Sequence, residues 1–118
     1  MMLLCSSVFG QVQQNGALYI GDTGVVNIFT TPYNFGTSPA TTTTTRTAVN
    51  YGKLYFSSGT NWVAASDAHH VNGYVSTFGN ADFTFPVGNG TKLAPARVQS
   101  ATLATNYDCA YYSADPIT

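Results

Sequence analysis

The sequence predicts an all-β fold, with an antiparallel, β-sandwich-like C-terminal half preceded by strand-rich turns that could take solenoid form. Three observations predict it. Thr, Val, Tyr and Phe, the residues that suit a pleated half-buried surface, dominate the chain. Glutamate is absent and Gln, Lys and Leu are too sparse for a sustained amphipathic helix. Short apolar runs are also interrupted at close intervals by Gly, Asn and Asp, the spacing of strands and tight turns.

Taken in order, Met1 to Gly10 ("MMLLCSSVFG") reads as the tail of a secretory signal peptide, with Val8 and Gly10 as a −3/−1 pair before Gln11. An ordinary N-terminal strand is the competing reading. Leu4 does not suit a lipobox ahead of Cys5. Residues 11–65 form a strand-rich N-terminal region. Ala17 to Ile20 and Val25 to Phe29 are strands around the turn "GDTG", and about residues 30–50 form a Thr-rich loop. Within it Thr41 to Thr45 has strand character but little to bury, so an exposed connection is expected. "GALYIGDTG" from Gly16 and "GKLYFSSGT" from Gly52 share a Gly-x-Leu-Tyr-apolar pattern. Two strands in equivalent environments, or a coincidence of a common pattern, both explain this echo.

Residues 66–118 form a β-hairpin and sandwich region whose chain is expected to continue beyond Thr118. Trp62 to Ala64 is a short strand leading into it. Val71 to Phe78 alternates, "GNAD" turns it, and Phe83 to Val87 returns as the second arm of a hairpin. Pro86 lacks a ladder donor and must mark a strand end or an edge. Asn89-Gly90 signals a turn. Arg97 to Ala104 and Tyr107 to Tyr112 read as a further pair.

Charge excludes whole classes of partner. Only 8% of the 118 residues are charged and the net charge is −1. Without a clustered basic face, neither nucleic acid nor an anionic membrane surface is an expected partner. No run approaches the roughly 20 apolar residues of a membrane-spanning helix.

Chemistry-bearing residues are few. His69 and His70, adjacent on an extended backbone, point to opposite faces and cannot easily share a metal, so they read as solvent-exposed loop histidines. Asp67 and His69 could be drawn into a hydrolytic triad with a nearby serine, but no nucleophile elbow accompanies them. Asp22, Asp67, Asp82, Asp108 and Asp115 are the available carboxylates, and turn chemistry explains Asp22 and Asp82 better than acid–base work. Cys109 reads as a small buried hydrophobe. Trp62, Tyr74, Tyr111 and Tyr112 could stack on sugar rings. The sequence therefore assigns no catalytic residue, cofactor or metal.

"VNGYVSTFGNADFTFPVGNGTKLAPARV" carries a pattern formed by Val71, Gly73, Tyr74 and Val75, then Phe83, Phe85, Pro86, Val87 and Gly88, then Pro95-Ala96. This pattern resembles a β-rich segment recurring in large exported surface or adhesin-like proteins of Bacteroidota. "GALYIGDTGVV" is similar to the start of the mature chain in such proteins. The resemblance implies a secreted or surface-exposed protein on the outer face of a Gram-negative bacterium, commonly exported by the type IX system. No catalytic motif comes with it. The expected function is a non-catalytic structural or adhesive module, with surface glycans or other surface proteins as partners. The alternative is a carbohydrate-binding accessory module of a secreted enzyme.

Overall fold

Pairing between distant strands, rather than between chain neighbours, organises the molecule. The structure, a computed structural model, describes residues 12–13, 18–29, 32–36, 42–44, 51–99 and 104–113. Among these the strands are β1 (Val12–Gln13), β2 (Leu18–Ile20), β3 (Val25–Ile28), β4 (Tyr33–Asn34), β5 (Thr42–Thr44), β6 (Lys53–Phe56), β7 (Trp62–Val63), β8 (Val71–Asn72), β9 (Tyr74–Gly79), β10 (Phe83–Phe85), β11 (Ala96–Val98) and β12 (Thr105–Cys109). No described residue is helical, so the all-β class expected from composition is the class observed. No described helix could therefore cross a membrane, a statement about helices alone.

Strands three apart in chain order pair in parallel. β1, β4 and β7 form one sheet, β2, β5 and β8 a second, and β3, β6 and β9 a third. The chain thus visits the same three sheets in the same order three times. β12 extends the third sheet, antiparallel to β9, and β10 pairs antiparallel with β11.

Side-chain alternation explains the third sheet. In β6, Leu54 and Phe56 are fully buried while Lys53 and Tyr55 face outward and are half-buried. The parallel register aligns Val26, Leu54 and Val75 in one inward row and Ile28, Phe56 and Thr77 in the next. Thr77 is tolerated inside because its hydroxyl donates to the Phe56 carbonyl at 3.1 Å. From the second sheet Ile20 and Val71 join the same core, and from the first sheet Tyr33. Edge-to-face aromatic contacts run from Trp62 to Phe35, Tyr33 and Phe56. Phe83 continues the chain by packing on Phe56 and Phe85. Burial pushes the Tyr33 phenol up to about 12, partly offset by a hydrogen bond with Thr42.

Four expectations meet a different arrangement. Thr41 to Thr45 is not an exposed connection. Thr42–Thr44 is the central strand of the second sheet, with Thr42 and Thr44 buried. Branched side chains pack well there, and the hydroxyls find partners: Thr42 bonds with Tyr33, and Thr44 accepts the Tyr74 N–H at 3.0 Å. Gly73 is required beside it, because a Cβ at that position would overlap the Thr44 hydroxyl.

The hairpin of β9 with β10 does not form either. Both edges of β9 are taken, one by β6 and the other by β12, and β10 instead turns to carry Phe85 into the core. For the same reason β11 and β12 do not pair with each other. Finally, the echoing "LYI" and "LYF" segments share an orientation but not a sheet, since β2 lies in the second and β6 in the third. The Met1 to Gly10 segment lies outside the described residues.

Core and surface positions in these rows differ sharply in expected sensitivity. Phe56→Ala should cost about 3–5 kcal/mol of unfolding free energy. Val25→Ala, on the exposed outer face, should stay within about 0.5 kcal/mol. Urea denaturation of the two variants checks this.

Candidate functional site

Three regions concentrate polar side chains, and the first is the histidine loop. A short antiparallel bridge joins Ser66 to His69 around a turn at Asp67 and Ala68. This geometry separates the two histidines: His69 stays half-buried, whereas His70 turns inward and is fully buried. The expectation that both are solvent-exposed is therefore corrected for His70. The alternation that prevents the pair from sharing a metal is the same alternation that puts one of them inside.

Both nitrogens of His70 are engaged. Nδ1 lies 3.0 Å from the Ser66 carbonyl and must donate to it. Nε2 accepts the Gly90 N–H at 2.9 Å. The ring is thus held as the neutral Nδ1–H tautomer, and neither nitrogen is left to bind a metal. Gly88 lies flat against it, where a Cβ would collide with the ring and with the Lys92 carbonyl.

Asp67 ties the same two segments together from outside. Its carboxylate accepts the Leu93 N–H at 2.9 Å and meets the Lys92 ammonium at 3.3 Å. Those contacts, the Leu93 N–H first, hold its carboxyl below the ordinary value. Asp67 is therefore turned toward Leu93 and Lys92. Ser66 Oγ approaches His69 Nδ1 at only 3.5 Å. The arrangement is a stitched loop, with Asn89 Oδ1 closing the expected Asn-Gly turn by accepting from the Thr91 and Lys92 N–H groups.

A second cluster lies on the outer face of the third sheet. Ser76, opposite Asp108 in the β9–β12 register, donates its hydroxyl to Asp108 Oδ1. Tyr51 donates to Oδ2 at 2.9 Å and the Lys53 ammonium sits 3.6 Å from the same oxygen. Burial opposes ionisation of Asp108, but the Ser76 and Tyr51 hydroxyls and the Lys53 charge outweigh it and hold the carboxyl below its ordinary value. The bond to Asp108, with the nearby negative charge, raises Tyr51 correspondingly. Ser76 is itself almost fully buried, so it is positioned to brace Asp108 and not to attack a substrate. On β12 the neighbouring Cys109 is half-buried and its thiol is pushed up by burial, consistent with a packing role.

The third region is an open cleft of about 510 Å³ between residues 58–62 and 77–84, backed by Val98 and Tyr107. Trp62, Phe78, Phe83 and Tyr107 supply its aromatic surface, and Asn61 and Asn80 its amides. The Trp62 indole N–H is fixed on the Thr84 carbonyl at 2.8 Å. Asp82, also in the lining, forms an ion pair with Arg97.

Of the four aromatics expected to meet a sugar, only Trp62 lies in this cleft. Tyr74 stacks on Tyr51 with ring centroids 4.0 Å apart, and the Tyr112 hydroxyl reaches Tyr74. Phe78, Phe83, Tyr107 and the two asparagines were not legible as site residues. Phe78 and Phe83 carry strand periodicity, and Asn80 carries a turn signal, with nothing to show that they converge. No family, curated protein or solved structure was found to match the chain.

Two outcomes follow from this geometry. His70→Ala should lower stability by about 2–4 kcal/mol, because it opens a void and leaves the Gly90 N–H without its partner, while the Ser66 carbonyl keeps only the His69 N–H. His69→Ala should change it by no more than about 0.5 kcal/mol. Urea midpoints compare the two, and long-range ¹H–¹⁵N spectra should show His70 as the Nδ1–H tautomer.

The second outcome concerns pH. Asp67 and Asp108 have lowered folded values, so their contribution is complete above the ordinary carboxylate value of about 4 and is lost as pH falls through and below it. Tyr51 has a raised value, so its contribution is complete below about 10 and is lost as pH rises beyond it. Asp108→Asn should flatten the acid limb of a stability–pH profile, and Tyr51→Phe the alkaline limb.

Proposed function

We propose that this chain is a non-catalytic structural or adhesive module of a secreted or surface-exposed bacterial protein, of the kind exported by Bacteroidota through the type IX system. The observation that carries this reading is where the reactive side chains are placed. Asp67 ties residues 66–69 to residues 92–93, His70 ties Ser66 to Gly90, and Asp108 ties β12 to β9 and to Lys53. Asp82 is paired with Arg97. Groups that would serve a hydrolase as acid, base or nucleophile are built into the joints of the scaffold.

Composition and resemblance support the compartment. Few charges, abundant Thr and Tyr, and the Val71 to Val98 pattern suit an exported β-protein whose outer faces meet other surfaces. Adhesion also requires a surface that reads a ligand, and the cleft beside Trp62 offers one.

The reading is tested by expressing the full open reading frame in its native type of host and fractionating the cells. The protein should appear in the medium or be removed from intact cells by protease. Retention in the cytoplasm overturns the proposal. His69→Ala and Asp67→Ala should leave any ligand binding unchanged.

A further inference from the structure

We propose that the cleft between residues 58–62 and 77–84 is a binding site for a neutral saccharide, a specific form of the adhesive reading above and resting on it. Its volume of about 510 Å³ lies in the range of ordinary small-molecule sites, about 300–1,000 Å³. Its lining alternates two chemistries that a sugar ring presents together. Aromatic surface from Trp62, Phe78, Phe83 and Tyr107 suits the apolar C–H face of a pyranose, and the Asn61 and Asn80 amides suit its hydroxyls.

Charge selects among possible ligands. Among the described residues, Asp82 is the one charged residue lining the cleft, and its carboxylate is neutralised by Arg97. An anionic ligand finds no cation offered to it, and a cationic ligand finds a carboxylate already paired. A neutral polyhydroxylated ring meets neither obstacle.

The aromatic surface is also fixed in advance. Trp62 is pinned through its indole N–H to Thr84, so it presents ring surface and not a donor. Phe83 is held against Phe56 and Phe85. Ordering these rings before the ligand arrives removes much of the entropy that binding would otherwise lose. Phe78, by contrast, is 40% exposed and Asn80 is also exposed. Both can be truncated without disturbing the core.

The experiment uses the purified protein on an array of neutral oligosaccharides, then titration calorimetry and amide NMR with whichever oligosaccharide binds. Binding should perturb the Gly79 and Asn80 amides and the Trp62 indole signal. Phe78→Ala and Asn80→Ala should each weaken it about tenfold or more while leaving the thermal midpoint unchanged. Tyr111→Ala, exposed but outside the cleft, should leave affinity unaltered. Absence of binding to every neutral oligosaccharide overturns the proposal, as does binding that survives both cleft variants or is abolished by Tyr111→Ala. Because purified protein is used, these failures are separable from a failure of surface location in the fractionation experiment.

Discussion

Parallel register between strands of successive passes is the constraint on which the molecule depends. In the third sheet, β3, β6 and β9 must align so that Val26, Leu54 and Val75 fall in one inward row and Ile28, Phe56 and Thr77 in the next. A slip of one residue would turn Leu54 and Phe56 to the outside and Lys53 and Tyr55 to the inside. The core contributions of the other sheets are fitted to that alignment. Tyr33 meets Phe56 edge to face, and Ile20 and Val71 close the interior from the second sheet. The burial of a few large side chains therefore fixes the position of strands far apart in sequence.

The third pass differs from the first two in how its strands are covered. Val71 in β8 is flanked by the segment 86–88, with its N–H donating to the Pro86 carbonyl and its carbonyl accepting the Gly88 N–H. Proline is suited to that place because only its carbonyl is used. β9 is covered by β12, fastened on its outer face by the Ser76–Asp108 bond. His70 and Asp67 hold the loop that carries Gly88 to Leu93 in place. Polar groups in this region act as fasteners, and the buried ones among them, His70 and Ser76, are fully hydrogen-bonded, which makes that role affordable in a small core. Asn72 Oδ1 is an exception: it is buried without a partner.

Class and turns were legible in the sequence because they are written in neighbouring residues. The Gly21 to Gly24 turn, closed by the Gly24 N–H on the Gly21 carbonyl, and the Asn89-Gly90 turn both stand where their residues place them. Pairing was not legible. The steps between equivalent residues are unequal, short from Val12 to Tyr33 and long from Tyr33 to Trp62, whereas Val25 to Lys53 is the longer step in the third sheet and Lys53 to Tyr74 the shorter. No fixed period survives such variation, and the Leu-Tyr echo joins strands of different sheets. Thr42 and Thr44 read as exposed because their partners, Tyr33 and Tyr74, lie in other strands. His70 was misread for the same reason, since Gly90 is invisible from Ser66 to Val71. The cleft is the extreme case, assembled from four separate segments that share no local signature.

The place of β9 also sets an order of events. Its partner on one side, β6, precedes it in the chain, but its partner on the other, β12, follows only after β10 and β11. When the chain becomes free to fold from its N-terminal side, β9 can dock on β6 at once and then presents an open row of backbone amides and carbonyls until Thr105–Cys109 joins it. Contacts of such long reach slow the final closure. Before β12 docks, β9, the longest strand among the described residues, offers a free edge that any strand within reach could pair with, and β12 is what closes it.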